Sequence, residues 1–172
     1  MIVHPIGPVY DAGSEILILG SFPSVRSREA GFFYGHPRNR FWMVLAAVLG
    51  GQIPGTTEEK TEFLLKNRIA LWDVIASCDI SGSSDTSIRN VTVNDLSVIL
   101  ASADIRQIFT NGKTAQRYYK QYTEPVIRRP AVCLPLTSPA NAAWDLERLT
   151  ESWRIVGEYL QKRERAHGQK TD

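Results

Sequence analysis

Two short stretches of this chain gather residue types that chemistry uses. Gly20-Ser21-Phe22-Pro23-Ser24 follows directly on the aliphatic run Ile16-Leu17-Ile18-Leu19, and Tyr34-Gly35-His36-Pro37-Arg38-Asn39-Arg40-Phe41-Trp42 comes soon after. A buried strand ending in a Gly/Pro turn lets the backbone approach a ligand closely. The second stretch offers a ring for stacking (Tyr34), a His, two Arg for phosphate, and an amide, Asn39, that can orient a small polar molecule. Two further polar stretches follow apolar runs: Asn111-Gly112, and Thr137-Ser138-Pro139-Ala140-Asn141. The Asn111 amide carries both a donor and an acceptor, as reading a base edge requires, but Asn-Gly equally describes a turn. On local sequence alone Asn39 reads equally as the N-cap of a helix starting at Arg40.

The elements that must position these residues alternate strand and helix. Residues 15–19 read as a buried strand and 20–38 as a long functional loop. Phe41, Trp42, Leu45, Val48 and Leu49 form a helical stripe that Gly50-Gly51 stops. Thr56 and Glu59 resemble a capping box for a helix through Leu65. Strands are expected at 69–74, 105–110 and 131–136, with a Ser-, Gly- and Asp-rich loop over 77–90. Short helices are expected from Asn94 to Ala101 and Lys113 to Tyr122. Leu146, Leu149, Trp153, Val156 and Leu160 share one face of a last helix. This order predicts an α/β fold, three-layer αβα, around a central, mostly parallel four-stranded sheet. Ligands bind such sheets beyond the carboxyl ends of their strands, where Gly20–Ser24, Trp72–Asp73, Asn111–Gly112 and Thr137–Asn141 fall. One domain over 1–162 is expected, with 163–172 a polar C-terminal tail.

Composition excludes several classes. Lys and Arg number 20 against 18 Asp and Glu, a net charge of +2, so only clustering is informative. Arg26, Arg28, Arg38 and Arg40 flank the opening motifs, as a phosphate-binding face would require. Cys78 and Cys133 are far apart, and His4, His36 and His167 lack metal-ligand spacing, so no metal is expected. No leader pattern or membrane-length apolar run is visible, which predicts a cytoplasmic protein with no membrane partner.

The three motifs, in this order and each at a strand end, resemble the uracil-DNA glycosylase superfamily. Tyr34-Gly35-His36-Pro37-Arg38-Asn39-Arg40-Phe41-Trp42 is similar to the mismatch-specific uracil glycosylases. The full set, with Thr137-Ser138-Pro139-Ala140-Asn141-Ala142, is closer to the hypoxanthine-DNA glycosylase branch. The resemblance implies a monofunctional enzyme that flips deoxyinosine out of DNA and hydrolyses its glycosidic bond without a cofactor. It implies Asn39 as the catalytic residue, orienting water through its side-chain carbonyl, and Tyr34 stacking on the base. Phe22, Asn111 and Ser21 would complete the base pocket. Ser24, His36, Arg38, Thr137, Ser138 and Asn141 would meet the DNA backbone or shape its loops. A monomer acting on DNA that contains deaminated bases is expected. Two departures stand out. Phe22 occupies the position where most of the superfamily carries an Asp or Asn that activates water, and Leu136 stands where a small polar residue is expected. A uracil glycosylase of the same fold, or a weakly catalytic nucleic-acid-binding module, are the alternatives. The iron–sulfur branches are excluded by cysteine count.

Overall fold

The computed structural model describes residues 1–168. At its centre lies β2 (Ile16–Gly20), buried along its whole length. It pairs in parallel with β3 (Ile69–Asp73) on one side and β6 (Gln107–Asn111) on the other, and β7 (Ala131–Leu134) extends the sheet. The order is β3-β2-β6-β7, so the four expected strands form one parallel sheet. A strand projects alternate side chains to opposite faces, and β2 feeds two separate cores. Ile16 and Ile18 join one with Phe41, Leu45, Leu64, Trp153 and Val156, from α2 (Phe41–Leu49), α3 (Thr57–Lys66) and α7 (Leu146–Gly168). Leu17 and Leu19 join the other with Ile99, Tyr118 and Tyr119, from α4 (Ser97–Leu100) and the helical segment after β6. A continuous aliphatic run with no polar position is what burial on both faces demands.

The expected loop over 77–90 is a correction. Residues Ile75–Asp79 form β4 and Arg89–Val93 form β5, an antiparallel pair with β1 (Ile2–Val3) on the free edge of β4. This small sheet packs Ile75 and Cys78 on the second core. Its register shifts twice between β4 and β5, which breaks the period-two alternation a strand needs to be visible in sequence. Within the expected 20–38 loop sits α1 (Val25–Ala30), capped by Ser24 and ended by Gly31 at φ 72. The helix expected over 113–122 runs further, as α5 (Lys113–Tyr118), a wide π turn over Tyr119–Thr123, and α6 (Glu124–Ile127). Pro125 has no N–H to donate back to the preceding turn, and the wide turn accommodates that loss. α7 continues past the expected start of a tail; of that tail, residues 169–172 lie outside the described residues.

Candidate active site

All four parallel strands end on one rim, and a cleft of about 590 Å³ opens there. That lies within the range of roughly 300–1,000 Å³ usual for small-molecule pockets. Its walls come from the turn after β2, the end of β3, the end of β6 and the loop after β7. Asn39, Tyr34 and His36 of the second motif and Asp85 of the small sheet's connecting turn complete it. A second concavity, over α3, is open surface and holds none of these groups.

Asn39 is held from two sides. Its Oδ1 accepts the Phe41 N–H, the first of α2, at 3.0 Å, and the Thr137 Oγ1–H at 3.0 Å; the N-cap position itself is held by Arg40. A backbone N–H can meet only an acceptor, so the orientation of the carboxamide is determined. Both oxygen lone-pair directions are used, and the carbonyl expected to hold a water is occupied. The Nδ2 donor is the group left for the pocket. Thr137, itself buried, joins Asn39 to Asn111: Asn111 Nδ2 donates to Thr137 Oγ1 at 3.0 Å, and Thr137 N–H donates to Asn111 Oδ1 at 3.1 Å. Asn111 therefore spends its acceptor and one donor on the loop after β7, not on a free base edge. Gly112, at φ 97, follows, and a Cβ there would lie 2.8 Å from Leu136 Cδ1. Leu136 is apolar because it covers that glycine and lines the cleft.

Arg40 is not free to meet DNA phosphates as its place in the opening cluster suggested. Its guanidinium donates to the carbonyls of Thr137, Ser138, Asn141 and Trp144. It thus clamps the loop that carries Thr137. Within that loop Asn141 Nδ2 donates to the Leu136 carbonyl at 3.0 Å and Ser138 Oγ accepts the Ala140 N–H at 3.1 Å. The cap of α7 is Asp145, whose Oδ1 accepts the Arg148 N–H. Trp144 packs on the first core with Arg148 over its ring.

The floor of the cleft was not legible in advance. A Cβ on Gly20 would lie 2.4 Å from Asp73 Oδ1 and 2.8 Å from Tyr34 Oη, so only glycine fits under these two oxygens. Tyr34 sits at φ 53 with its ring stacked on Phe41, centroids 4.0 Å apart. One face of the ring expected to stack on a base is therefore covered by protein. Its buried Oη has no well-formed hydrogen bond among the described residues. Burial, chiefly, and the Asp73 charge hold the phenol far above its ordinary pKa, so it stays protonated. Asp73 is buried and its Oδ2 lies 2.7 Å from His4 Nε2, a residue that sequence reasoning left without a role. Phe22, also buried, stands edge-on to the His4 ring at 5.7 Å and walls the cleft.

Asp85 is the other residue missed. Ser21 Oγ donates to its Oδ1 at 3.4 Å, and burial, with a smaller push from Asp73, raises its pKa above the ordinary carboxylate range. Ser24 accepts the Ser27 N–H at 3.2 Å as the cap of α1. His36 Nδ1 accepts the Arg38 N–H at 3.0 Å, which shapes the turn and leaves the exposed Arg38 guanidinium outside it. Among the described residues no cluster of His, Cys, Asp or Glu has the geometry of a metal site, and no helix is long and apolar enough to cross a membrane.

The uracil DNA glycosylase superfamily model matches residues 8–158. A hypoxanthine DNA glycosylase of Methanosarcina acetivorans is 35% identical over 161 residues, covering 91% of this chain and 98% of the relative. One of Methanosarcina barkeri is 35% identical over 123 residues, covering 70% and 75%. A solution NMR structure from Methanosarcina acetivorans, described as a candidate uracil DNA glycosylase, superposes with a TM-score of 0.79 at 33% identity, covering 94% of this chain and 99% of that one. The chain belongs to the uracil DNA glycosylase superfamily. It is a DNA glycosylase, with DNA as its substrate.

Two outcomes follow from these contacts. Arg40→Ala should cost about 1–3 kcal/mol by stranding part-buried carbonyls, and Arg40→Lys should not restore it, because one ammonium cannot span four acceptors. Arg40→Ala should leave the salt dependence of DNA binding unchanged, whereas Arg38→Ala should lower the log–log slope by about one. Urea unfolding and salt titrations of binding read both. Asp85 binds its proton more tightly folded than unfolded, so its contribution to stability is present at acid pH and lost as pH rises through the raised pKa. Asp85→Asn should melt above wild type at neutral pH, and the gap should close below about pH 3.9.

Proposed function

We propose that this glycosylase removes hypoxanthine from deoxyinosine in DNA by hydrolysis, as a monofunctional, monomeric enzyme needing no metal or cofactor. The observation that carries the mechanism is the Asn39 carboxamide, whose oxygen is bound by Phe41 N–H and Thr137 Oγ1 and whose Nδ2 is left for the cleft. Breaking an N-glycosidic bond builds negative charge on the departing base and positive charge on the sugar. A donor fixed in advance at the base stabilises the first charge without reorganising during reaction. Asn39 Nδ2–H is that donor. The carboxylate of Asp85, lining the same cleft, favours the cationic sugar. Asp85, half-buried and with a raised pKa, accepts the proton of the attacking water. This division assigns leaving-group stabilisation to Asn39 and water to Asp85, and leaves Phe22 as an apolar wall beside the base.

What supports hypoxanthine over uracil is the name of the relatives that match at 35% identity, together with the motif set and the absence of a carboxylate or amide at position 22. Contact with the DNA backbone is assigned to Ser24, His36 and Ser138, which line the cleft, and to the exposed Arg38. A cytoplasmic location suits such an enzyme.

A duplex panel with deoxyinosine, deoxyuridine and deoxyxanthosine tests the reading. Free hypoxanthine and an alkali-labile abasic site should form fastest, equally with and without chelator, and without strand cleavage before alkali. Faster release of uracil would transfer the assignment to the uracil alternative; binding with no release of any base would favour the binding-module alternative.

A further inference from the structure

His4 lies outside every motif, yet it is one of the most fastened residues of the site. Its N–H donates to the Ala76 carbonyl at 2.7 Å, in line with the β1–β4 pairing. The chain then turns back, so that the Ile6 N–H donates to His4 Nδ1 at 3.1 Å. Ile6 is itself held, its carbonyl accepting Trp72 Nε1–H at 3.1 Å. The imidazole is buried against Phe22 and Phe33, and its Nε2 meets Asp73 Oδ2 at 2.7 Å.

These contacts define the tautomer. Nδ1 accepts a backbone N–H, so it carries no proton, and the ring hydrogen must be on Nε2. Asp73 Oδ2 is then an acceptor only, because a proton there would face the Nε2 hydrogen. His4 therefore fixes the Asp73 side chain through Oδ2, and the other oxygen, Oδ1, stands at the cleft floor above Gly20. The ionisable groups facing Asp73 are His4, the Tyr34 phenol and Asp85.

A fixed acceptor at this floor can distinguish a deaminated purine from its parent. Adenine presents a lone pair at N1; deamination replaces it with N1–H. A carboxylate oxygen accepts that N–H and repels the lone pair, and a buried polar group left facing its own kind is costly. We propose that His4 is a positioning residue for specificity: it holds Asp73 by Oδ2 so that Oδ1 faces the cleft, receives N1–H of the flipped base and rejects adenine. This rests on the hypoxanthine reading above and adds a residue and a role to it.

The test compares binding of non-cleavable duplexes carrying 2′-fluoroarabino-inosine or 2′-fluoroarabino-adenosine opposite the same base for wild type, His4→Ala and His4→Gln. Glutamine can donate to Asp73 from Nε2. Duplex-opening costs are common to all three proteins, so changes in the inosine-to-adenosine ratio isolate the pocket. The wild-type ratio should be high. His4→Ala should lower it by about tenfold or more, the order that one unpaired polar group supplies, because nothing then holds Asp73 Oδ2 and fixes the direction of Oδ1. His4→Gln should restore a high ratio. A ratio unchanged in a folded His4→Ala protein overturns the proposal, as does a His4→Gln protein that behaves like His4→Ala. If wild type binds and cleaves deoxyinosine while the ratio ignores His4, this inference fails alone; if wild type shows no preference for inosine, the hypoxanthine reading and this inference fall together.

Discussion

The hydrogen bond from Thr137 Oγ1 to Asn39 Oδ1 is the contact on which the site depends. It joins the loop before α2 to the loop after β7, 98 residues apart in the chain. Each partner is held elsewhere: Asn39 by the first turn of α2, Thr137 by Asn111 at the end of β6. Arg40, next to Asn39 in sequence, reaches the same loop and binds its carbonyls. Adjacent residues thus do complementary work, one presenting an amide and the other immobilising the segment that orients it. A carboxamide with a free oxygen could rotate and offer either end to a ligand. This one cannot, because the Phe41 N–H can meet only its oxygen.

Such rigidity needs a rigid support. β2 is buried on both faces, and its alternating aliphatic side chains bind two cores to one strand. The functional turn starts at its last residue, Gly20, where two oxygens approach closer than any side chain would allow. Asp73 lies opposite Gly20 in the register between β2 and β3. The cleft floor is therefore as well defined as the sheet itself. The small antiparallel sheet adds the second carboxylate, Asp85, and fastens His4 through β1. Its carboxylate is unfavourable to bury at neutral pH, a local cost of the kind functional sites carry.

Much of this was readable in the sequence, and what was not had physical reasons. The four parallel strands and the rim announced themselves through apolar runs that end in Gly, Asp, Asn or Pro. Asn39 reads both as a helix cap and as a site residue; the N-cap proves to be Arg40, one residue on, while the Asn39 oxygen takes the first N–H of α2 and its nitrogen remains available. Pairings between distant residues were invisible. Nothing in His4 or Asp73 hints that two residues 69 positions apart in the chain are placed 2.7 Å from each other. Asp85 was hidden in a Ser- and Asp-rich stretch whose strands slip in register. The Tyr34 ring looked free beside two glycines, but a positive φ turns it onto Phe41 and sends its hydroxyl to the floor. Residue type told which groups could act; which of their atoms remain unoccupied is a property of the fold.

The most direct test of the account is Asn39→Asp, followed by single-turnover release of hypoxanthine and by thermal melting. Aspartate keeps an oxygen for Phe41 N–H and Thr137 Oγ1, and caps a helix as well as asparagine does. It removes only the Nδ2 donor and places negative charge where the departing base becomes negative. The account predicts a melting temperature close to wild type and a rate lower by about 10²–10³, the loss typical of one preorganised donor. A variant that cleaves deoxyinosine as fast as wild type, or faster, would contradict it and return the role of Asn39 to its oxygen.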